Sequence, residues 1–227
     1  MTNSQQIKRL VGLATLTSLV VGLQFLSNYV TFGSISITLA LIPVAMGAIL
    51  YGPIAGFFLG AIMGVIAMVS PSTLALFMPY NPVATVFLCI LKTGIAGLVS
   101  GLLFKLFSSI AKKQTETSKK KALFAAGIIV AAIVVPVINT GIFIFGAWIF
   151  FVDVTINGDL VFGGSFAGII TAVLTTNFLV EFLVSAVLSP ALVTLVQVLT
   201  RRNDLGFQKE FKNFIFDEEL EQITVNA

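Results

Sequence analysis

Histidine is absent from this chain of 227 residues, and cysteine occurs once, as Cys89. Without histidine the chain lacks the most common metal ligand, the usual proton shuttle and the base of a Ser-His-Asp triad. One cysteine cannot form a disulfide within the chain, so it gives no evidence for an oxidising compartment. We therefore expect neither a bound metal nor a catalytic triad.

Charged residues are scarce as well, at 10% of the sequence, whereas a soluble domain typically has about 25%. Apolar residues make up 57%, the mean hydropathy is +1.05, and most of the length lies in long apolar runs. A soluble protein with one large core would need polar helix faces, which these runs lack, whereas lipid permits an apolar surface. The composition predicts an integral membrane protein, and the small net charge of +3 gives no reason to expect a nucleic-acid partner.

Motifs for common catalytic chemistries are also missing. The sequence has no Gly-x-x-x-x-Gly-Lys-Ser/Thr phosphate loop, no His-Glu-x-x-His and no Gly-x-Ser-x-Gly. We therefore expect a protein that is not an enzyme and does not itself hydrolyse ATP. Because the apolar runs hold no chain of carboxylates to carry protons, a transporter of this kind needs energy from a partner or moves its substrate downhill.

Six apolar runs follow one another along the chain. In hydrocarbon every backbone polar group must be hydrogen-bonded within its own segment, and a helical span needs about 20 residues. The runs therefore predict an all-α membrane protein with six transmembrane helices. Tyr51-Gly52-Pro53 separates the second run from the third and predicts a tight helical hairpin. The runs comprise residues 10–25, 37–51, 53–69, 83–107, 122–151 and 165–199.

Basic residues predict the orientation of these spans. Lys8 and Arg9 precede the first run, six lysines lie between 105 and 121, and Arg201 and Arg202 follow the sixth run. This positive-inside pattern predicts that both termini are cytoplasmic. The loops on the opposite side carry no lysine or arginine and comprise residues 26–36, 70–82 and 152–164.

The same pattern predicts the organisation of the chain. We expect a membrane domain over residues 1–202, with a cytosolic linker at about 108–121, and a cytosolic tail over residues 203–227. A cleaved signal peptide is the alternative for the first run, but no small-x-small cleavage site follows it.

Glycines recur every four residues through the third run and fall on one face of the predicted helix. Small residues at this spacing allow another helix backbone to approach closely. Gly97 and Gly101 repeat the pattern in the fourth run. We expect tight packing of these helices within the chain, at Gly52, Gly56, Gly60 and Gly64.

Polar residues at membrane depth are the candidate binding residues. A charge in hydrocarbon costs about 2.5–3.5 kcal/mol or more, so it faces the protein interior and often has a function. Lys92 lies in the fourth run, Asn139 in the fifth, and Asn177 and Glu181 one helical turn apart in the sixth. They predict a cavity that opens outward and, because Lys92 is its cation, takes an anionic ligand. The alternative is a buried ion pair between Lys92 and Glu181.

Further candidates lie nearer the outer ends of the runs. Gln24, Asn28 and Trp148 occupy such positions, and Tyr80 and Asn81 belong to the loop over residues 70–82. That loop contains apolar residues among its turn residues, so it either folds over the cavity as a lid or rests in the lipid interface. In the first case Tyr80 and Asn81 contact the ligand.

Three segments carry a resemblance to a known family. They are Leu41–Gly56, with the sequence LIPVAMGAILYGPIAG, then Pro136-x-x-Asn139-Thr140, and Thr176-Asn177-x-x-x-Glu181. With six short-looped helices, the chain resembles the membrane substrate-binding subunits of energy-coupling factor (ECF) vitamin transporters, and the branch assigned to pantothenate uptake in particular. The resemblance covers almost the whole chain apart from the tail.

The resemblance implies a transport mechanism. Such a subunit captures a vitamin with high affinity outside a prokaryotic plasma membrane and docks on a shared transmembrane coupling protein. Two cytosolic ATPases use ATP, and this chain itself needs no cofactor. The family docks through Ala-x-x-x-Ala on the first helix, which corresponds to Ala14-x-x-x-Ser18 here. From the residues alone, the stripe of Ala14, Ser18 and Gly22 fits internal packing equally well.

The chemistry of the candidate residues is compatible with several ligands. Pantothenate has one carboxylate for Lys92, and an amide and hydroxyls for Asn139, Asn177 and Glu181. Folate has two carboxylates and calls for more cations, and thiamin is itself a cation. Riboflavin, folate and an autonomous small-molecule carrier remain the alternatives.

Overall fold

The computed structural model describes residues 3–29, 31–32, 35–36, 38–156, 159–160, 164–173 and 178–200. Eight helices and two short antiparallel hairpins form this part of the chain. The helices are α1 (Asn3–Tyr29), α2 (Leu41–Tyr51), α3 (Pro53–Met68), α4 (Pro71–Leu76), α5 (Pro82–Lys112), α6 (Thr117–Phe150), α7 (Phe166–Val173) and α8 (Leu179–Thr200). The strands are β1 (Thr31–Phe32) with β2 (Ile35–Ser36), and β3 (Thr155–Ile156) with β4 (Asp159–Leu160).

Three of the described helices are long and apolar enough to cross a membrane, over Gln6–Asn28, Pro82–Lys112 and Ser118–Phe150. Shorter apolar helices cover Leu41–Tyr51, Pro53–Met68 and Leu179–Thr194. The helical character predicted for the apolar runs is therefore confirmed for the described residues. The sixth run contains α7 and α8, and residues 174–177 between them lie outside the described residues.

The hairpin between the second and third runs forms where it is predicted. Gly52 separates α2 from α3 with φ at 101°, a left-handed conformation that favours glycine. Its N–H donates to the Ala48 carbonyl at 3.1 Å, and Pro53 occupies the first turn of α3. At the same end, the Arg9 guanidinium of α1 donates to the Tyr51 carbonyl at 3.1 Å.

Helices α3 and α5 pack through their glycines, as the spacing predicts. A Cβ added at Gly56 would lie 2.5 Å from the Gly97 carbonyl oxygen, and one at Gly101 would lie 2.5 Å from the Pro53 Cα. Gly60 faces the backbone of Thr93 in the same way. These distances leave no room for a side chain, so the two backbones are in direct contact.

Two apolar clusters hold the helices together. The first joins α1, α2, α3, α5, α6 and α8 and includes Val20, Val44 and Phe104, each 0% exposed. In the second, Leu88 of α5 packs with Phe151 and with α7. Phe104 of the first cluster lies in the C-terminal half of α5 and Leu88 of the second lies near its N-terminal end, so the two clusters pack against different ends of this helix.

The polar segments on either side of the bundle are more helical than predicted. The linker expected at 108–121 is mostly helical, because α5 continues to Lys112 and α6 begins at Thr117. The loop expected at 70–82 contains α4, where the Ser70 side chain accepts from the Thr73 N–H and Pro71 occupies the first turn. Serine followed by proline is a favoured helix start.

Candidate functional site

A cavity of about 400 Å³ borders both apolar clusters, with Met63 of the first and Val173 of the second in its wall. Its volume falls in the range typical of small-molecule sites, roughly 300–1,000 Å³. Residues from α1, α3, α4, α5, α6, α7 and α8 contribute to its wall, together with Thr38 before α2. The lining residues are Gln24, Asn28, Thr38, Met63, Ala67, Ser70, Pro71, Ser72, Thr73, Phe77, Lys92, Thr93, Asn139, Thr140, Phe143, Val173 and Glu181.

Lys92 brings a positive charge to this cavity from the wall formed by α5. Its ammonium lies 4.7 Å from the centre of the Phe143 ring of α6, and the side chain is half-buried. Among the described residues no ion pair joins Lys92 to Glu181, so the alternative of a direct pair is not the arrangement in this structure. A cation over an aromatic face is stabilised by the ring while its N–H groups remain available to a ligand.

Glu181 brings a carboxylate to the same cavity from α8. It is only 3% exposed, and the hydroxyl of Thr38 donates to its Oε1. Lys92 and Asn139 are also among its neighbours. Because a buried carboxylate needs donors around it, Thr38 orients Glu181 and leaves acceptor capacity on the cavity side.

Two buried side-chain oxygens of the cavity wall have no hydrogen-bond partner within the described residues. They are Oε1 of Gln24, which is 5% exposed, and Oδ1 of Asn139, which is 6% exposed. The amide nitrogen of Gln24 donates to Oδ1 of Asn28 at 3.2 Å, so the other face of Gln24 is satisfied. An unpaired buried acceptor costs about 1–3 kcal/mol. Donor groups on a bound molecule would remove that cost.

Hydroxyl groups complete the polar lining. Ser70 donates to Oγ1 of Thr73 at 2.8 Å, and both line the cavity where α4 begins. Thr93 Oγ1 donates to the Cys89 carbonyl at 2.9 Å. These residues do not stand out in the sequence, because the hydroxyl groups of serine and threonine form hydrogen bonds within their own helices. For Thr140 the sequence did contain an indication of a binding role, since Thr140 follows Asn139 in a segment that carries the family resemblance.

Five predicted residues meet in the cavity, namely Gln24, Asn28, Lys92, Asn139 and Glu181. Asn177 lies outside the described residues.

Three other predicted residues do not line the cavity in the described part of the chain. Tyr80 is 47% exposed and donates to the Thr155 carbonyl, which ties the segment after α4 to β3. Asn81 caps α5, with its Oδ1 accepting from the Ala84 N–H at 3.0 Å. Trp148 is 47% exposed and packs against the Phe166 ring at 5.4 Å.

The small-residue stripe of α1 faces away from the protein. Ala14 and Ser18 are exposed, and a Cβ added at Gly22 would meet nothing within 4 Å. The opposite face of α1 buries Leu16 and Val20 in the first apolar cluster. Internal packing therefore does not use the stripe within the described residues.

A family model described as "ECF transporter, substrate-specific component" matches residues 8–193. The chain belongs to this family. Searches among curated proteins and among solved structures found no significant match. As an ECF substrate-specific component, the protein is a membrane-embedded, multi-pass subunit that binds a small-molecule substrate and works with the other components of an ECF transporter.

Membership of this family indicates which role the cavity is a candidate for. A substrate-specific component is the substrate-binding subunit of its transporter and is not itself an ATPase. The described cavity brings together a cation, a carboxylate and two unpaired amide oxygens in this bundle. It is the candidate substrate site of this ECF component.

Proposed function

We propose that this ECF substrate-specific component captures pantothenate. The observation that carries the proposal is that one cation and two buried acceptors without hydrogen-bond partners line the same cavity. Lys92 is the only lysine or arginine among the described lining residues, and Gln24 and Asn139 present buried oxygens without partners. A ligand that complements them has one anionic group and several hydrogen-bond donors.

Pantothenate has this distribution of groups. Its single carboxylate pairs with the Lys92 ammonium, and its hydroxyls and amide N–H donate to the oxygens of Gln24, Asn139 and Glu181. Charge-assisted hydrogen bonds of this kind are roughly twice as strong as neutral ones. Thiamin, a cation, meets repulsion from Lys92, and the second carboxylate of folate finds no cation among the described lining residues. Riboflavin is neutral and offers the Lys92 ammonium no anionic group.

We also propose that the chain crosses the membrane six times, with both termini in the cytoplasm of a prokaryotic cell. The placement of the basic residues supports it. A single cysteine introduced at Ser72, in a Cys89→Ser background, should react with an impermeant thiol reagent added outside intact cells. A cysteine introduced at Lys113 should react only after the membrane is opened, and the reverse pattern would refute this orientation.

In the proposed transport cycle, the cavity and the exposed stripe of α1 have separate roles. The cavity binds the vitamin, and the exposed stripe of Ala14, Ser18 and Gly22 on α1 docks on the transmembrane coupling protein. Two cytosolic ATPases hydrolyse ATP, and this chain contributes no cofactor to that step. An autonomous carrier is the competing function, and it predicts uptake by this chain alone.

The test of the substrate is a calorimetric titration of the purified chain in detergent. Pantothenate should bind tightly, whereas folate, riboflavin and thiamin should give no binding heat at the same concentrations. Folded protein that binds none of them, or binds another vitamin in preference, would overturn the substrate. Pantothenate accumulation in liposomes that contain this chain without partners would overturn its role as a dependent subunit.

A further inference from the structure

We infer that Phe143 is a specificity-determining residue that positions the Lys92 ammonium for the carboxylate of the substrate. The inference rests on the proposed function, because it concerns recognition of an anionic ligand in the same cavity. Its first observation is geometric. The Lys92 Nζ lies 4.7 Å from the centre of the Phe143 ring, within the distance of about 6 Å over which a cation is attracted to an aromatic face.

The second observation is that Phe143 belongs to the cavity wall. It lies one helical turn after Asn139 on α6, and both residues line the cavity. Ring, cation and amide oxygen therefore share one space. A phenylalanine that served only the lipid-facing surface would show neither the cavity contact nor the cation above its ring.

The third observation concerns the support of the ring itself. Phe77, which follows α4, packs edge-on against Phe143 at 5.7 Å and against Phe151 at 5.1 Å. This aromatic contact restrains the Phe143 ring from the side where α4 borders the cavity. Because the ring is restrained, the Lys92 ammonium that contacts it is held in one position.

These contacts have a consequence for binding. A lysine side chain loses conformational freedom when it is fixed, and the cost reduces affinity if it arises on binding. Since the ring holds the ammonium before the ligand arrives, that loss has already occurred. The ring covers one side of the ammonium, so the remaining N–H groups can donate to a carboxylate while the contact with Phe143 persists.

The experiment compares pantothenate with pantothenol, in which CH2OH replaces the carboxylate, by calorimetry on the full chain in detergent. Phe143→Leu should weaken pantothenate binding roughly threefold to tenfold and change pantothenol binding less than about twofold. Phe143→Tyr keeps an aromatic face and should bind pantothenate like the wild-type protein. Phe145→Leu is the matched control, because Phe145 lies on the same helix, is 59% exposed and does not line the cavity.

A double-mutant cycle separates positioning from packing. In a Lys92→Ala background, Phe143→Leu should have no further effect on pantothenate affinity. Equal weakening of both ligands, an effect that persists without Lys92, or tighter binding by Phe143→Leu would each overturn the inference. If Phe143→Leu does not fold, Phe143→Met supplies the same comparison. Failure of the wild-type protein to bind pantothenate would instead refute the proposed substrate, so the two failures are distinct.

Discussion

At the scale of single residues, the cavity keeps two opposite charges close together without joining them. Lys92 rests over the Phe143 ring, and Glu181 accepts a hydrogen bond from Thr38. A direct ion pair would satisfy both groups and would have to be broken before either could bind a ligand. The separate partners leave each charge partly compensated and still available. Such an arrangement suits a substrate that carries an anionic group at one end and donors at the other.

Lys92→Ala should weaken pantothenate binding at least tenfold, or about 1.4 kcal/mol, because the carboxylate then has no cation in the described cavity. Calorimetric titration of the variant in detergent measures the effect. Lys112→Ala is a suitable control, since Lys112 is exposed at the end of α5 and does not line the cavity. Unchanged affinity in a folded Lys92→Ala protein would contradict a role in carboxylate binding.

Part of the candidate site can be predicted from sequence, and the reason is energetic. Lys92, Glu181 and Asn139 interrupt apolar runs, where a polar group is costly and therefore conspicuous. Phe143 cannot be predicted in this way, because it is one apolar residue in an apolar helix. Its role depends on the contact between its ring and the Lys92 ammonium, which only the structure shows. The position of Trp148 near the outer end of its run predicts a binding residue, but its ring packs against Phe166 and does not line the cavity in the described part of the chain.

At the scale of helices, the α3–α5 pair shows how the fold is held in a setting where the hydrophobic effect contributes little between helices. Association in lipid depends on close van der Waals packing. Gly60 lies directly against the backbone of Thr93, the residue that follows Lys92. Packing of α3 on α5 therefore fixes the part of α5 that presents the cation to the cavity.

Gly60→Ala should destabilise the protein by about 1–3 kcal/mol, because the new methyl group meets backbone atoms that cannot move aside. Its midpoint of thermal unfolding in detergent should fall below that of the wild-type protein. Gly141→Ala is the matched control in α6, where an added Cβ meets nothing within 4 Å and alanine favours the helix. Equal stability of the two variants would show that α3 and α5 are not in close contact.

Helices differ in how well their sequences predict them. The break at Gly52-Pro53 is predictable because glycine permits the positive φ and proline starts the next helix. The strands from β1 to β4 contain two residues each, too few for an alternating pattern to appear. Helix α4 is also too short to be predicted from a periodic pattern, since it comprises six residues in a segment rich in turn-forming residues.

At the scale of the whole molecule, the substrate site and the exposed stripe of α1 are separate surfaces. Gln24 and Asn28 reach the cavity from the C-terminal end of α1, whereas Ala14 and Ser18 lie nearer its N-terminal end and face outward. The Ser18 hydroxyl donates to the Ala14 carbonyl at 3.0 Å, so the stripe presents little unsatisfied polarity to lipid or to a partner. One helix thus joins the substrate site to the proposed docking surface.

This separation predicts that substrate binding and transport can be uncoupled. Ala14→Trp or Ser18→Trp should leave pantothenate affinity unchanged, because the new side chain projects away from the bundle, and should abolish uptake by blocking close helix contact with the coupling protein. Calorimetry and cellular uptake, measured on the same variants, give the two results. Val187→Trp controls for added bulk on the outer surface, since Val187 is 74% exposed on α8, and it should support normal uptake. Loss of binding in the α1 variants would show that the stripe serves the fold, and normal uptake would place the docking surface on another helix.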